Sequence, residues 1–202
     1  MLLDISQPVT VRTATWPGDE PFSCGWTMAL GKDGSGVNVG WARTSPHVGT
    51  HVDAPFHYDD AGPRVGGLDL DAFVGECVVV DAVGAGELDA RLLPDDLPPR
   101  VLLRTTTRDE PGEFRREFPV LTREAIAELA AARVKLVGVD APSVDAFDSR
   151  GLPLHHALYA AGIVNVENLA LARVEPGRYR FYGAPVRWVD MDAAPLRALL
   201  QR

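Results

Sequence analysis

Three histidines and an aspartate fall within eleven residues, in the segment His47-Val48-Gly49-Thr50-His51-Val52-Asp53-Ala54-Pro55-Phe56-His57. Two imidazoles and a carboxylate are a common donor set for zinc or a similar divalent ion. The H-x-x-x-H spacing of His47 and His51 would put both rings on one face of a helix. That reading fails here, because Pro46, Gly49, Pro55 and the β-branched Val48, Thr50 and Val52 are poor helix material. As extended chain, positions 47, 51, 53 and 57 share one face. Full extension does not serve a shared metal either. At about 3.3 Å per residue His47 and His51 would lie roughly 13 Å apart, whereas bonds of about 2.0–2.1 Å need them within about 4 Å. The chain must therefore fold back near Gly49, a residue type that permits such a turn.

The remaining two of the five histidines are adjacent, His155 and His156, and Glu167 follows. Both histidines sit in the first turn of an expected helix, and Glu167 ends the expected strand after it. A helix followed by a returning strand can bring its start near the strand's far end. One of the two histidines and Glu167 can then face the same point.

The elements that must position these groups are short and joined by tight turns, as 19 glycines and 16 prolines imply. Val37–Ala42 alternates weakly, and Cys77–Val83 is a strongly β-branched run of the buried-strand kind. Val101–Thr105 follows the breaker Pro98-Pro99 and reads as another strand. The clearest helix runs from Thr122, its N-cap, to Arg133, with Ala125, Ile126, Leu129 and Ala130 as its apolar stripe. It feeds a strand over Val134–Asp140. A second helix spans Pro153–Ala161, stopped by Gly162, and leads to a strand over Ile163–Glu167. Strand, helix, strand twice over, after a strand-rich first half, predicts one α/β or α+β domain with a mixed sheet. The charge-dense stretch Thr106–Glu117 reads as an exposed loop.

Taken together, the two clusters resemble a known family. His47-x-Gly49-Thr50-His51-x-Asp53-Ala54-Pro55-x-His57 is similar to the H-x-G-T-H-x-D-A-P-x-H signature of the cyclase-type metal-dependent hydrolases, and within them to the bacterial kynurenine formamidases (arylformamidases). The likeness takes in Trp16-Pro17-Gly18-Asp19, Pro98–Arg104, Val134–Asp140 with Pro142-Ser143, and the tail Asp192–Arg197. It implies an α/β fold: a single swivelling-type domain over residues 1–202, with a barrel-like mixed β-sheet flanked by helices, usually as a homodimer. It implies His47, His51 and Asp53 as metal ligands. The family's distal ligands are a histidine and a glutamate twelve residues apart, which fits His155 with Glu167 and leaves His156 aside. His57 matches the family's proton donor and acceptor, and Trp16 a substrate-contacting aromatic. The implied cofactor is a pair of zinc ions bridged by Asp53, with manganese in some members. The implied substrate is a small molecule, N-formyl-L-kynurenine, hydrolysed to L-kynurenine and formate in tryptophan degradation. Other members open cyclic amides such as isatin, so a lactam hydrolase of the same fold is the alternative, and a non-catalytic metal-binding module is a third reading.

The chemistry is consistent with that implication. A planar formamide resists neutral water, and metal coordination lowers the pKa of water from 15.7 towards about 7, so that a metal-held hydroxide attacks. The departing aniline nitrogen needs a proton, and an imidazole of ordinary pKa about 6.5 at His57 can deliver it. Trp16 can stack on the aryl ring. Phe22, Trp26, Phe56 and Tyr58 are further candidates for pocket walls, and Arg43 or Arg64 for the substrate carboxylate. Cys24 and Cys77 read as small buried residues.

Composition bounds the remaining classes. A net charge of −8 with no basic tract argues against nucleic acid and anionic membrane surfaces as partners. Two cysteines without C-x-x-C spacing fit a reducing compartment. No apolar run approaches the roughly 20 residues that span a bilayer, and no signal peptide is visible at Met1–Asp4. A cytoplasmic protein is expected.

Overall fold

The structure, a computed structural model, describes residues 1–32 and 34–202. Eleven strands and two α-helices are joined by loops and short 3₁₀ turns among these residues. The strands are β1 (Leu2–Asp4), β2 (Ser23–Met28), β3 (Val39–Arg43), β4 (His51–Asp53), β5 (Val74–Asp81), β6 (Arg100–Arg104), β7 (Leu136–Val139), β8 (Val164–Glu167), β9 (Gly177–Tyr182), β10 (Ala193–Pro195) and β11 (Leu199–Gln201). The helices are α1 (Arg123–Ala131) and α2 (Pro153–Ala160).

Nine strands form one mixed sheet in the order β1-β11-β9-β5-β6-β7-β8-β4-β10, and β2 and β3 pair as a separate antiparallel ribbon. The centre, β5-β6-β7-β8, is parallel, and every other pairing in the large sheet is antiparallel. The parallel centre reads as near-continuous apolar sequence because both faces are covered. On β5 and β6, Cys77, Val79 and Leu102 point into one apolar cluster, while Val78, Val80, Val101 and Leu103 point into another. The second cluster is closed by Ala125, Ile126 and Leu129 of α1 and Leu158 of α2.

The first cluster has no helix over it. It is filled instead by Val52 of β4 and Ala194 of β10 from one end of the sheet, and Phe181 of β9 and Leu200 of β11 from the other. Strands this far apart in order can share a core only if the sheet curls on itself, which gives the half-barrel form. The expected barrel-like mixed sheet with flanking helices is what the chain adopts.

Local expectations mostly hold. Thr122 caps α1, its hydroxyl accepting from the Ala125 N–H, and Gly162 ends α2 at φ 71°. At the other end of α1, Arg133 takes the left-handed conformation usually left to glycine (φ 58°). The strand expected over Val37–Ala42 runs instead over Val39–Arg43 on the exposed ribbon. Cys24, on the facing strand, is exposed, so its reading as a small buried residue is corrected. Cys77 is buried, and burial pushes its thiol up to about 12.

Gly138 lies in β7 on the side of the curled core. A Cβ there would sit 2.6 Å from Leu102 Cδ2 and 2.6 Å from Leu169 Cδ1. Gly138→Ala therefore overpacks the closed side of the sheet and should cost about 1–3 kcal/mol of stability. Urea unfolding should show a lowered midpoint at unchanged slope; an unshifted midpoint would contradict the close approach.

Candidate metal centre

Strands β4 and β8 pair antiparallel with His51 opposite Glu167 and Val52 opposite Val166. Since side chains alternate across a strand, Val52 and Val166 enter the curled core while His51, Asp53, Asn165 and Glu167 share the other face. All four are buried. The next pair along the same register brings Asn165 to Asp53, and its Nδ2 donates to Asp53 Oδ2 at 2.8 Å and to Glu167 Oε1 at 3.2 Å.

The fold-back expected near Gly49 is present. Gly49 has φ 72°, and its carbonyl accepts from His51 Nδ1 at 2.9 Å. That bond makes Nδ1 the protonated nitrogen and leaves the Nε2 lone pair facing Asp53 Oδ1 (3.3 Å) and Glu167 Oε2 (3.6 Å). His47 returns on the near side of the turn, its Nδ1 3.0 Å from Asp53 Oδ1.

Helix α2 supplies the third imidazole. Its N-terminus is held by Asp145, whose carboxylate accepts from the N–H groups of Leu154 (3.1 Å) and His155 (3.0 Å). The same carboxylate takes the His155 Nδ1 proton at 2.8 Å. His155 Nε2 is thereby left 3.3 Å from Asp53 Oδ2 and 3.3 Å from Glu167 Oε1. A ring nitrogen committed to a carboxylate or carbonyl, with the other nitrogen free, is the usual preparation of a metal-binding histidine.

The result is two donor groups that share one carboxylate: His47, His51 and Asp53, and Asp53, His155 and Glu167. Within each group the donor atoms lie within 4.8 Å of one another. Asp53 Oδ1 is buried without a hydrogen-bond partner, although two imidazole nitrogens stand 3.0 and 3.3 Å away. A buried carboxylate oxygen with no donor is costly, and a cation between it and the two rings removes the deficit. On this observation the residues fit a divalent metal, with one Asp53 oxygen facing each group.

Protons and metal compete for these atoms. Burial disfavours the charged form of His47, but the neighbouring Asp192 and Asp53 carboxylates override it and raise its pKa to about 10. Burial likewise opposes charge on His155, and Asp145, Asp53 and Glu167 outweigh it, so its pKa is raised. Burial alone would push the Asp53 carboxyl up; the surrounding imidazoles, His51 foremost, hold it well below the usual carboxylate range.

His57 stands in a 3₁₀ turn over Pro55–His57, directly after the ligand strand, and is partly exposed. Its ring lies 4.4 Å from that of His47. His156 is exposed and packs on Tyr58 at 5.1 Å, outside the two donor groups.

His47, His51, Asp53, His57, His155 and Glu167 open onto one cavity of about 530 Å³. Its far wall holds Trp16, edge-on to Phe114 at 5.3 Å and tilted against Phe147 at 5.2 Å. The loop expected over Thr106–Glu117 has no regular structure, but it brings Arg108, Phe114 and Arg115 to this wall, which its composition did not reveal. Asp140 anchors it: the carboxylate accepts from the Thr105 and Thr106 N–H groups, and the carbonyl accepts from Arg115.

Several wall candidates are corrected. Phe22, Trp26, Phe56 and Tyr58 do not line the cavity among the described residues. Trp26 is on the exposed ribbon, Phe56 lies under Arg64, and Tyr58 packs behind His155. Arg43 pairs with Glu20, and Arg64 bonds the Asp190 carbonyl, so neither reaches the cavity; its cations are Arg108, Arg115 and Arg150. Sequence reasoning also missed Asn165 and Asp145, which neither spacing nor type distinguishes from solvated residues. The β4–β8 register would have pointed to Asn165.

The fold and the site define a cyclase-type metal-dependent hydrolase, and the comparisons agree. The Cyclase family model, described as "Putative cyclase", matches residues 3–146, and the chain belongs to that family. The chain is 45% identical over 209 residues to the kynurenine formamidase of Salinibacter ruber, covering 99% of this chain and 97% of that one. It is 40% identical over 205 residues to the kynurenine formamidase of Bacillus mycoides, covering 98% and 96%. A solved structure described as a potential metal-dependent hydrolase with cyclase activity superposes with a TM-score of 0.84 at 26% identity, covering 99% and 96%.

If His47 gives Nδ1 to a metal, its raised pKa of about 10 means that uptake at neutral pH must expel a proton. Affinity for zinc should therefore rise at least tenfold per pH unit between pH 6 and 8. Competition against a chelator, corrected for the chelator's own protonation, measures this; a flat profile would contradict the assigned donor.

Proposed function

We propose that this chain is an arylformamidase that hydrolyses N-formyl-L-kynurenine to L-kynurenine and formate. The observation that carries the reading is the pair of donor groups sharing Asp53, in a chain 45% identical end to end to a kynurenine formamidase. His47, His51 and Asp53 would hold one ion, and Asp53, His155 and Glu167 a second. Zinc suits the nitrogen and carboxylate donors, although such a set also accepts manganese.

When bound, the ions supply Lewis acidity towards the formyl oxygen and lower the pKa of the attacking water. The protein's side chains do the rest. Trp16, with Phe114 and Phe147 behind it, receives the aryl ring. Arg150 lines the cavity with no carboxylate partner among the described residues, and is free to meet the substrate carboxylate. His57 accepts a proton as the water oxygen bonds to the formyl carbon. It returns that proton to the aniline nitrogen as the carbon–nitrogen bond breaks, leaving formate and the free amine.

The working unit is a cytoplasmic homodimer. The β2–β3 ribbon supports a second copy: Trp26, Met28, Val39 and Trp41 are all exposed on it, and a two-stranded ribbon is marginally stable by itself. No described helix is long and apolar enough to cross a membrane.

Zinc-loaded protein should release formate from N-formyl-L-kynurenine and lose that activity on chelation. His57→Ala should keep its metal and lose about 10²–10⁴-fold in kcat. Ring opening of isatin without formate release would instead place the chain with the lactam hydrolases, and near-normal turnover of His57→Ala would remove the assigned role.

A further inference from the structure

Asp192 was not singled out by its sequence surroundings, and it lies 145 residues beyond His47. Strand β10 pairs antiparallel with β4, setting Ala193 opposite Asp53. The neighbouring backbone is tied down on both sides. The Ala54 N–H donates to the Asp192 carbonyl at 2.8 Å, and the Val65 N–H to the Met191 carbonyl at 3.0 Å. The Asp192 side chain is therefore fixed beside the 3₁₀ turn that carries His57.

One oxygen of that carboxylate stands beside two imidazoles, hydrogen-bonded to His47 and in looser ion-pair contact with His57. Asp192 Oδ2 is 3.0 Å from His47 Nε2 and 3.5 Å from His57 Nδ1. The carboxylate is a fixed acceptor, so each ring turns its N–H towards it. For His47 this keeps Nδ1 on the side of Asp53. For His57 it puts the proton on Nδ1 and makes Nε2 the nitrogen available for proton transfer. A carboxylate that orients an imidazole and selects its tautomer in this way supports acid–base catalysis without touching the substrate.

We propose that Asp192 is the positioning residue for His57, holding it in the Nδ1–H tautomer so that Nε2 exchanges the proton with water and the leaving nitrogen. The inference rests on the formamidase reading for its kinetic consequence. Its tautomer consequence can be observed in the resting enzyme.

The test uses zinc-loaded protein and the variants Asp192→Asn, His57→Asn and the double variant, with zinc content measured for each. Long-range ¹H–¹⁵N spectra of the imidazoles should show His57 as the Nδ1–H tautomer in the parent and not in Asp192→Asn. With zinc content retained, Asp192→Asn should lower kcat on N-formyl-L-kynurenine about 10–100-fold while KM changes little. The loss should be much smaller for 4-nitroformanilide, whose leaving amine needs less protonation. The double variant should be no worse than His57→Asn alone. Three outcomes would each overturn the proposal: an unchanged His57 tautomer, losses that multiply in the double variant, or a loss explained wholly by missing zinc. If the parent releases no formate from either formamide, the formamidase reading fails instead, and the tautomer result still decides the role of Asp192.

Discussion

The buried carboxylate of Asp53 is the constraint around which the rest is arranged. Removing a carboxylate from water costs several kcal/mol unless opposite charge and hydrogen bonds replace the lost solvation. Here four groups surround it: His47 and His51 face one oxygen without donating to it, while Asn165 donates to the other, which His155 also faces. Each arrives on a different piece of chain. The Gly49 turn delivers His47, β4 carries His51 with Asp53, α2 brings His155, and β8 brings Asn165 and Glu167. A shift of one residue in the β4–β8 pairing would turn every one of the strand-borne groups to the opposite face.

This dependence explains why the site sits where it does. The curled side of the sheet is filled by apolar side chains from both ends. The helix-covered side is apolar under α1 and becomes polar only where α2 reaches β8 and β4. At that boundary Asp145 does two jobs with one carboxylate, closing the start of α2 and directing His155. Leu152 precedes the helix in a left-handed conformation with no side-chain cap of its own, which leaves the helix start to Asp145.

Much of this was legible in the residues. The H-x-G-T-H-x-D segment contained its own argument for a turn at Gly49, because no straight chain brings His47 to His51. The helices were marked by Thr122 and Gly162, and the parallel core by its β-branched runs. Less legible were the three-residue strands β1, β4, β10 and β11, too short to show a period. Strand β9 does alternate in sequence, with Tyr179 and Phe181 inward and Arg178 and Arg180 outward. The cavity's far wall could not be read at all, since Phe114 and Phe147 reach Trp16 only through loops whose paths are set by distant anchors such as Asp140. For the same reason Arg43 and Arg64 were plausible by type and wrong by place.

The family, the fold and the shared carboxylate converge on hydrolysis of a small amide, and the central physical claim is that Asp53 is shared between two ions. Anomalous diffraction from zinc-loaded crystals tests it most directly. Two peaks are expected, one among His47, His51 and Asp53 and the other among Asp53, His155 and Glu167, with a different Asp53 oxygen on each. A single ion, or one held by His47, His57 and Asp192 instead, would contradict it.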